Sequence, residues 1–106
     1  MTRADAEQRA AIGVDHIMWG SDFPHDEGTY PHTREALAHT FAGVDPAEVA
    51  RMVGANAAHV YGFDTAMLGA VAARIGPEVD AVHAGIDAIP ASTTSFAFGP
   101  RTVGVA

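Results

Sequence analysis

The chain has 106 residues, 48% of them apolar, and a formal net charge of −7. That length fits one small domain. Alanine is the commonest apolar residue, with 22 Ala against two Leu. Alanine buries little area, and burial stabilises by roughly 25 cal/mol per Å², so the expected core is thin. Six Arg, no Lys and no basic cluster argue against a nucleic-acid partner or an anionic membrane surface. With no cysteine, any metal must rest on His and carboxylate ligands. A cysteine-free chain is compatible with a cytoplasmic location. The opening MTRADAEQRAA lacks the apolar core of a secretory signal, and no window reaches the length of a membrane span.

Residues 4 to 11, rich in Ala, Glu and Gln, read as a helix that Gly13 breaks. Residues 16 to 21 form a short apolar run bounded by turn signals, which predicts a strand. Alternation puts Ile17, Trp19 and Ser21 on one side and Met18, Gly20 and Asp22 on the other. Both sides are largely apolar before Ser21-Asp22, as in a strand covered on both faces. Pro31 is placed to open a helix running to about Ala42, with Leu37 and Phe41 stacked at i, i+4 and Gly43 as its stop. DPAE at 45 to 48 predicts Asp45 as N-cap, Pro46 at N1 and Glu48 at N3. The helix behind it is expected to end at Gly54, with Asn56 capping a further short helix closed by Gly62. Beyond Asp64-Thr65, the spacing of Leu68, Val71, Ala72 and Ile75 predicts an amphipathic helix ended by Gly76-Pro77. A further short helix from Pro77 toward Ala84 and an extended tail from residue 91 follow, with Phe96 and Phe98 as anchors.

HIMWGSDFPHDEGTYPH, residues 16 to 32, is the densest concentration of polar chemistry. Asp22 falls at the C-terminal end of the expected strand, where parallel α/β folds project ligand and catalytic groups. A carboxylate there can bind a divalent metal or take a proton from a metal-bound water. The alternative is that Ser21-Asp22 only satisfies turn backbone groups, as Asp does in Asx-turns. His25 is the candidate for substrate contact or support beside it. The spacing of His25, Asp26, Glu27 and His32 matches no helix-borne zinc motif, so the loop reads as a solvated acidic loop rather than a self-contained site. His16, His39, His59 and His83 read as structural or exposed, Trp19 as packing, and Arg34 as a solvated helix-start residue.

GVDHIMWGSDFPH, a Pro-led helix, and ANAAHVYGFD some 35 residues later together resemble the C-terminal part of amidohydrolase-related proteins. Among them, the stretch resembles the group similar to aminocarboxymuconate-semialdehyde decarboxylase. The resemblance spans roughly residues 5 to 64 and weakens to about 90. It implies an α/β fold, the last strand and helix of a (β/α)8 TIM barrel with a helical C-terminal extension. It divides the chain into an amidohydrolase-related portion (1–64), a helical extension (65–90) and a tail (91–106), mostly helical when isolated. In such a barrel the eighth strand ends in an aspartate that binds the metal and moves protons. Asp22 matches that position, making it the expected metal ligand and catalytic base, with His25 lining the site.

The H-x-H pair that the family carries on its first strand has no counterpart here, and a catalytic metal needs about three protein ligands. The expectation is therefore a fragment of a metal-dependent hydrolase or decarboxylase, inactive alone, whose divalent ion (zinc) is not bound tightly by this chain. Its expected partners are a small-molecule substrate in the full-length enzyme and either a missing N-terminal barrel segment or a homo-oligomer. The rival expectation is a non-catalytic helical module docking through its strand and Phe-containing tail.

Overall fold

The structure, a computed structural model, describes residues 1–99. Helix α1 (Arg3–Glu7) opens with a capping box: the Thr2 side chain accepts from Asp5 N–H, and Asp5 accepts from Thr2 N–H at 2.7 Å. Helix α2 (Arg9–Ile12) follows, then a 3₁₀ turn, Val14–His16. Helix α3 (Thr33–Phe41) is the centre of the molecule. Its residues Ala36, Leu37, Ala38, Thr40 and Phe41 are buried, and it packs against α1, helix α7 (Val79–Ala84) and a 3₁₀ turn at Phe96–Phe98. The main core joins Leu37 and Phe41 to Ala6, Val44, Met52 and Val82, with Ile17, Trp19, Val49 and Val53 against it. A smaller cluster of Ala36, Ala97 and Phe98 binds the tail to the other side of α3.

Local capping chemistry set several boundaries. Asp45 accepts from Ala47 N–H at 3.0 Å, with Pro46 at the first position of α4 (Pro46–Ala50). Gly62, at φ 70°, closes α5 (Asn56–Tyr61) in the left-handed conformation that lacks a penalty only for glycine. Asp64 caps α6 (Thr65–Ile75) by accepting from Met67 N–H at 3.1 Å. Pro31 lies outside its helix, which starts at Thr33 behind His32.

Two expectations fail for tertiary reasons. Gly54 does not end a helix. It sits in a π-helical turn, Arg51–Ala55, that carries the helix without interruption from α4 into α5. A mid-helix glycine costs about 1 kcal/mol, offset here by burial of Met52 and by bonds from Asn56. That residue caps nothing: its amide donates to the carbonyls of Val14 and Ile17, both at 2.8 Å.

The expected strand at 16 to 21 is extended backbone without a ladder. His16 belongs to the 3₁₀ turn, and among the described residues there is no strand to pair with. Trp19 N–H donates instead to the Met52 carbonyl at 2.8 Å, and the Ser21 carbonyl accepts from Thr29 N–H at 3.0 Å. The alternation is nevertheless visible. Ile17 and Trp19 pack on the core, while Met18, Gly20 and Asp22 face solvent. The expected cover on the second face is absent among the described residues.

The tail also departs from expectation. Phe98 is buried, but Phe96, two residues away, is 60% exposed because the 3₁₀ turn sends the two rings in different directions. The remainder of the expected tail, residues 100–106, lies outside the described residues. No helix among the described residues is long and apolar enough to cross a membrane.

Candidate functional site

The loop from Ser21 to His32 is held by its own backbone. His25 N–H donates to the Asp22 carbonyl at 2.8 Å, Gly28 N–H to His25 at 2.9 Å, and His32 N–H to Thr29 at 2.7 Å. Gly28 is buried, and a Cβ on it would stand 2.9 Å from each of the Ser21, Asp22 and His25 carbonyl oxygens. The loop closes tightly only because that position has no side chain. From outside, the Thr94 hydroxyl donates to the Asp26 carbonyl, and His32 Nε2 lies 3.1 Å from Ser92 Oγ. The tail therefore straps the loop.

Asp22 has a left-handed backbone, φ 58°, the one non-glycine residue of that kind among those described. Aspartate tolerates this region better than most residues. Its carboxylate accepts no backbone N–H among the described residues; of the Ser21-Asp22 pair it is Ser21 Oγ that satisfies a turn amide, accepting from Phe23 N–H at 3.3 Å. The side chain is 71% exposed, and its Oδ2 lies 3.4 Å from His25 Nδ1.

His25 Nδ1 also accepts from Glu27 N–H at 3.1 Å. That bond assigns the neutral ring its proton on Nε2. Nδ1 and the Asp22 carboxylate are then two acceptors side by side, and they attract only when the ring is doubly protonated. The pair thus offers an exposed carboxylate and an outward Nε2–H donor. Phe23 and Tyr30 flank it, their rings edge-to-face with centroids 5.3 Å apart, and both are exposed.

The other histidines are dispersed. His16 Nδ1 contacts the Ile12 carbonyl at 3.2 Å and His83 Nδ1 the Val44 carbonyl at 3.1 Å. His39 lies against Phe98, with ring centroids 5.5 Å apart. Burial, and secondarily the charge of Arg3, hold its pKa below the ordinary imidazole value. Among the described residues, no three His, Asp or Glu side chains come together as a metal-binding group. Asp22 and His25 are fewer than the three protein ligands of a catalytic divalent site, so these residues alone do not fit such an ion. An apolar cavity of about 220 Å³ exists elsewhere, between α3, α4, α7 and the end of α6, and no residue of the loop lines it.

Several positioning residues escaped sequence reasoning. Asn56 ties the segment leading to Asp22 onto α5, and Gly28 permits the loop closure. Arg34 is exposed at the start of α3, as expected, and its guanidinium also donates to the carbonyls of Ile75, at 2.5 Å, and Gly76, at 3.2 Å. Sequence offered one signal for Asn56, a polar residue within an otherwise apolar helical run.

No curated protein and no solved structure matches the chain. A family model does, that of the amidohydrolases, over residues 5–63. Enzymes of that superfamily generally use divalent metals. The matched stretch is more than half of the chain and holds the extended segment, Asp22 with its loop, α3 and the long helix through Asn56, and on it the chain belongs to the amidohydrolase family.

Proposed function

We infer that this chain is the C-terminal portion of a (β/α)8 amidohydrolase barrel, and that Asp22 is the carboxylate it contributes to a divalent-metal site. The remaining ligands, histidines in the family resemblance, lie outside these 106 residues. The observation that carries this reading is the one-sided packing of Ile17–Ser21. One face of the segment rests on the core, and the other, ending in the exposed Asp22 carboxylate, is open. The backbone N–H groups of Met18 and Gly20 are unbonded among the described residues, which suits an edge onto which further strands add. Asp22 is proposed as metal ligand and proton carrier, and His25 Nε2–H as a donor toward substrate. The reaction class is hydrolysis, or decarboxylation of a small organic acid as in aminocarboxymuconate-semialdehyde decarboxylase, with zinc as the ion. The isolated chain is expected to be inactive.

The test is complementation. The chain is joined to, or mixed with, a segment carrying the first seven strand–helix units of a family barrel, in the presence of zinc. Metal retention and turnover of a panel of small carboxylic acids, esters and amides are then measured. Asp22→Asn is expected to lower turnover at least about 100-fold and to weaken metal retention. Full activity and metal content in Asp22→Asn would overturn the assignment.

A further inference from the structure

Helix α6 begins two residues beyond the stretch that matches the family. Its ends are fixed. Asp64 caps the first turn, and the Arg34 guanidinium holds the last carbonyls. None of its eleven residues is buried. Met67, Leu68, Val71 and Ile75, spaced to fall on one side of the helix, are 42 to 63% exposed. Just before the helix, Tyr61 and Phe63 are stacked with centroids 5.6 Å apart, and both are at least half exposed.

We propose that two copies of the chain associate through α6, packed antiparallel about a two-fold axis. Such an interface is self-complementary, the same patch serving both copies. The charges at the helix ends suit this arrangement. The N-terminal end carries Asp64 and the C-terminal end carries Arg74, which forms no ion pair among the described residues. Inverting one helix over the other sets Arg74 of each copy beside Asp64 of the other, and Leu68 of each beside Val71 of the other. Antiparallel helix dipoles favour the same geometry. The area is sufficient. Six half-exposed apolar side chains at roughly 100 Å² each give about 600 Å² per copy, so about 1,200 Å² in all, at the lower end of stable interfaces.

Analytical ultracentrifugation of the full chain between about 1 and 200 μM tests this. A reversible monomer–dimer equilibrium is expected. Leu68→Glu with Val71→Glu, at exposed positions, should leave a monomer with an unchanged far-UV circular dichroism spectrum. Arg74→Glu, which leaves the apolar stripe intact, should weaken dimerisation about tenfold. Adding Asp64→Asn, which keeps a capping side chain but removes the opposing charge, should restore part of that loss. A chain monomeric at 200 μM would overturn the proposal. So would association that the double glutamate variant leaves intact, or a dimer indifferent to Arg74→Glu.

Discussion

Asn56→Ala probes how the Asp22 segment is held in place. The Asn56 amide donates two 2.8 Å hydrogen bonds, to the Val14 and Ile17 carbonyls, in a partly buried setting. A hydrogen bond contributes about 1 kcal/mol net, and a carbonyl left without its donor adds a desolvation cost. Losing both bonds should therefore cost about 2–3 kcal/mol. For a domain of this size that corresponds to a fall of roughly 10–20 °C in Tm, or about 2 M in the urea midpoint. Asn56→Asp sharpens the test. It preserves shape, but at pH 7 sets a carboxylate against two carbonyl oxygens with no proton to share. It should cost more than alanine. Urea melts followed by Trp19 fluorescence read both variants. A loss below about 0.5 kcal/mol in Asn56→Ala, or a milder effect in Asn56→Asp than in Asn56→Ala, would refute the reasoning.

Three further outcomes are expected. Phe98→Ala should destabilise by about 3–5 kcal/mol because its ring is buried, whereas Phe96→Ala should stay within about 0.5 kcal/mol; paired thermal melts distinguish them. Gly28→Ala sets a methyl against three carbonyls at 2.9 Å and should cost at least about 1 kcal/mol, with loss of the Phe23–Tyr30 ring contact in NMR spectra. Stability should decline as pH falls through about 6.5, since His39 has a lowered pKa when folded and the unfolded chain takes the proton first. Asp5, lowered chiefly by its bond from Thr2 N–H, extends the decline below its ordinary 3.8; His39→Asn should flatten the upper part of the profile.

Sequence revealed what short-range chemistry decides. Asp45 caps the helix assigned to it, and Gly62 ends α5, because each signal acts within one turn. The sidedness of Ile17 and Trp19 against Met18 and Asp22 was legible because a period of two survives without a ladder. The ladder was not legible as absent, since pairing depends on other strands rather than on residues 16 to 21. Asn56 and Arg34 act across about 40 residues, a distance over which local pattern carries no information. Gly54 looked like a stop because local propensity disfavours a mid-helix glycine, a cost that the tertiary bonds of Asn56 and the burial of Met52 offset. At the site, the resemblance singled out Asp22, and the structure adds its left-handed backbone, its open carboxylate and the lone pair of His25 Nδ1 turned to Glu27.

The central claim is that Asp22 is one ligand of a metal site completed elsewhere. Equilibrium dialysis of the chain against zinc, for wild type and Asp22→Asn side by side, tests it most directly. The account predicts weak binding, with a dissociation constant above about 10 μM, well short of the affinity of a complete three-ligand site. One tightly bound zinc per chain, lost in Asp22→Asn, would contradict it.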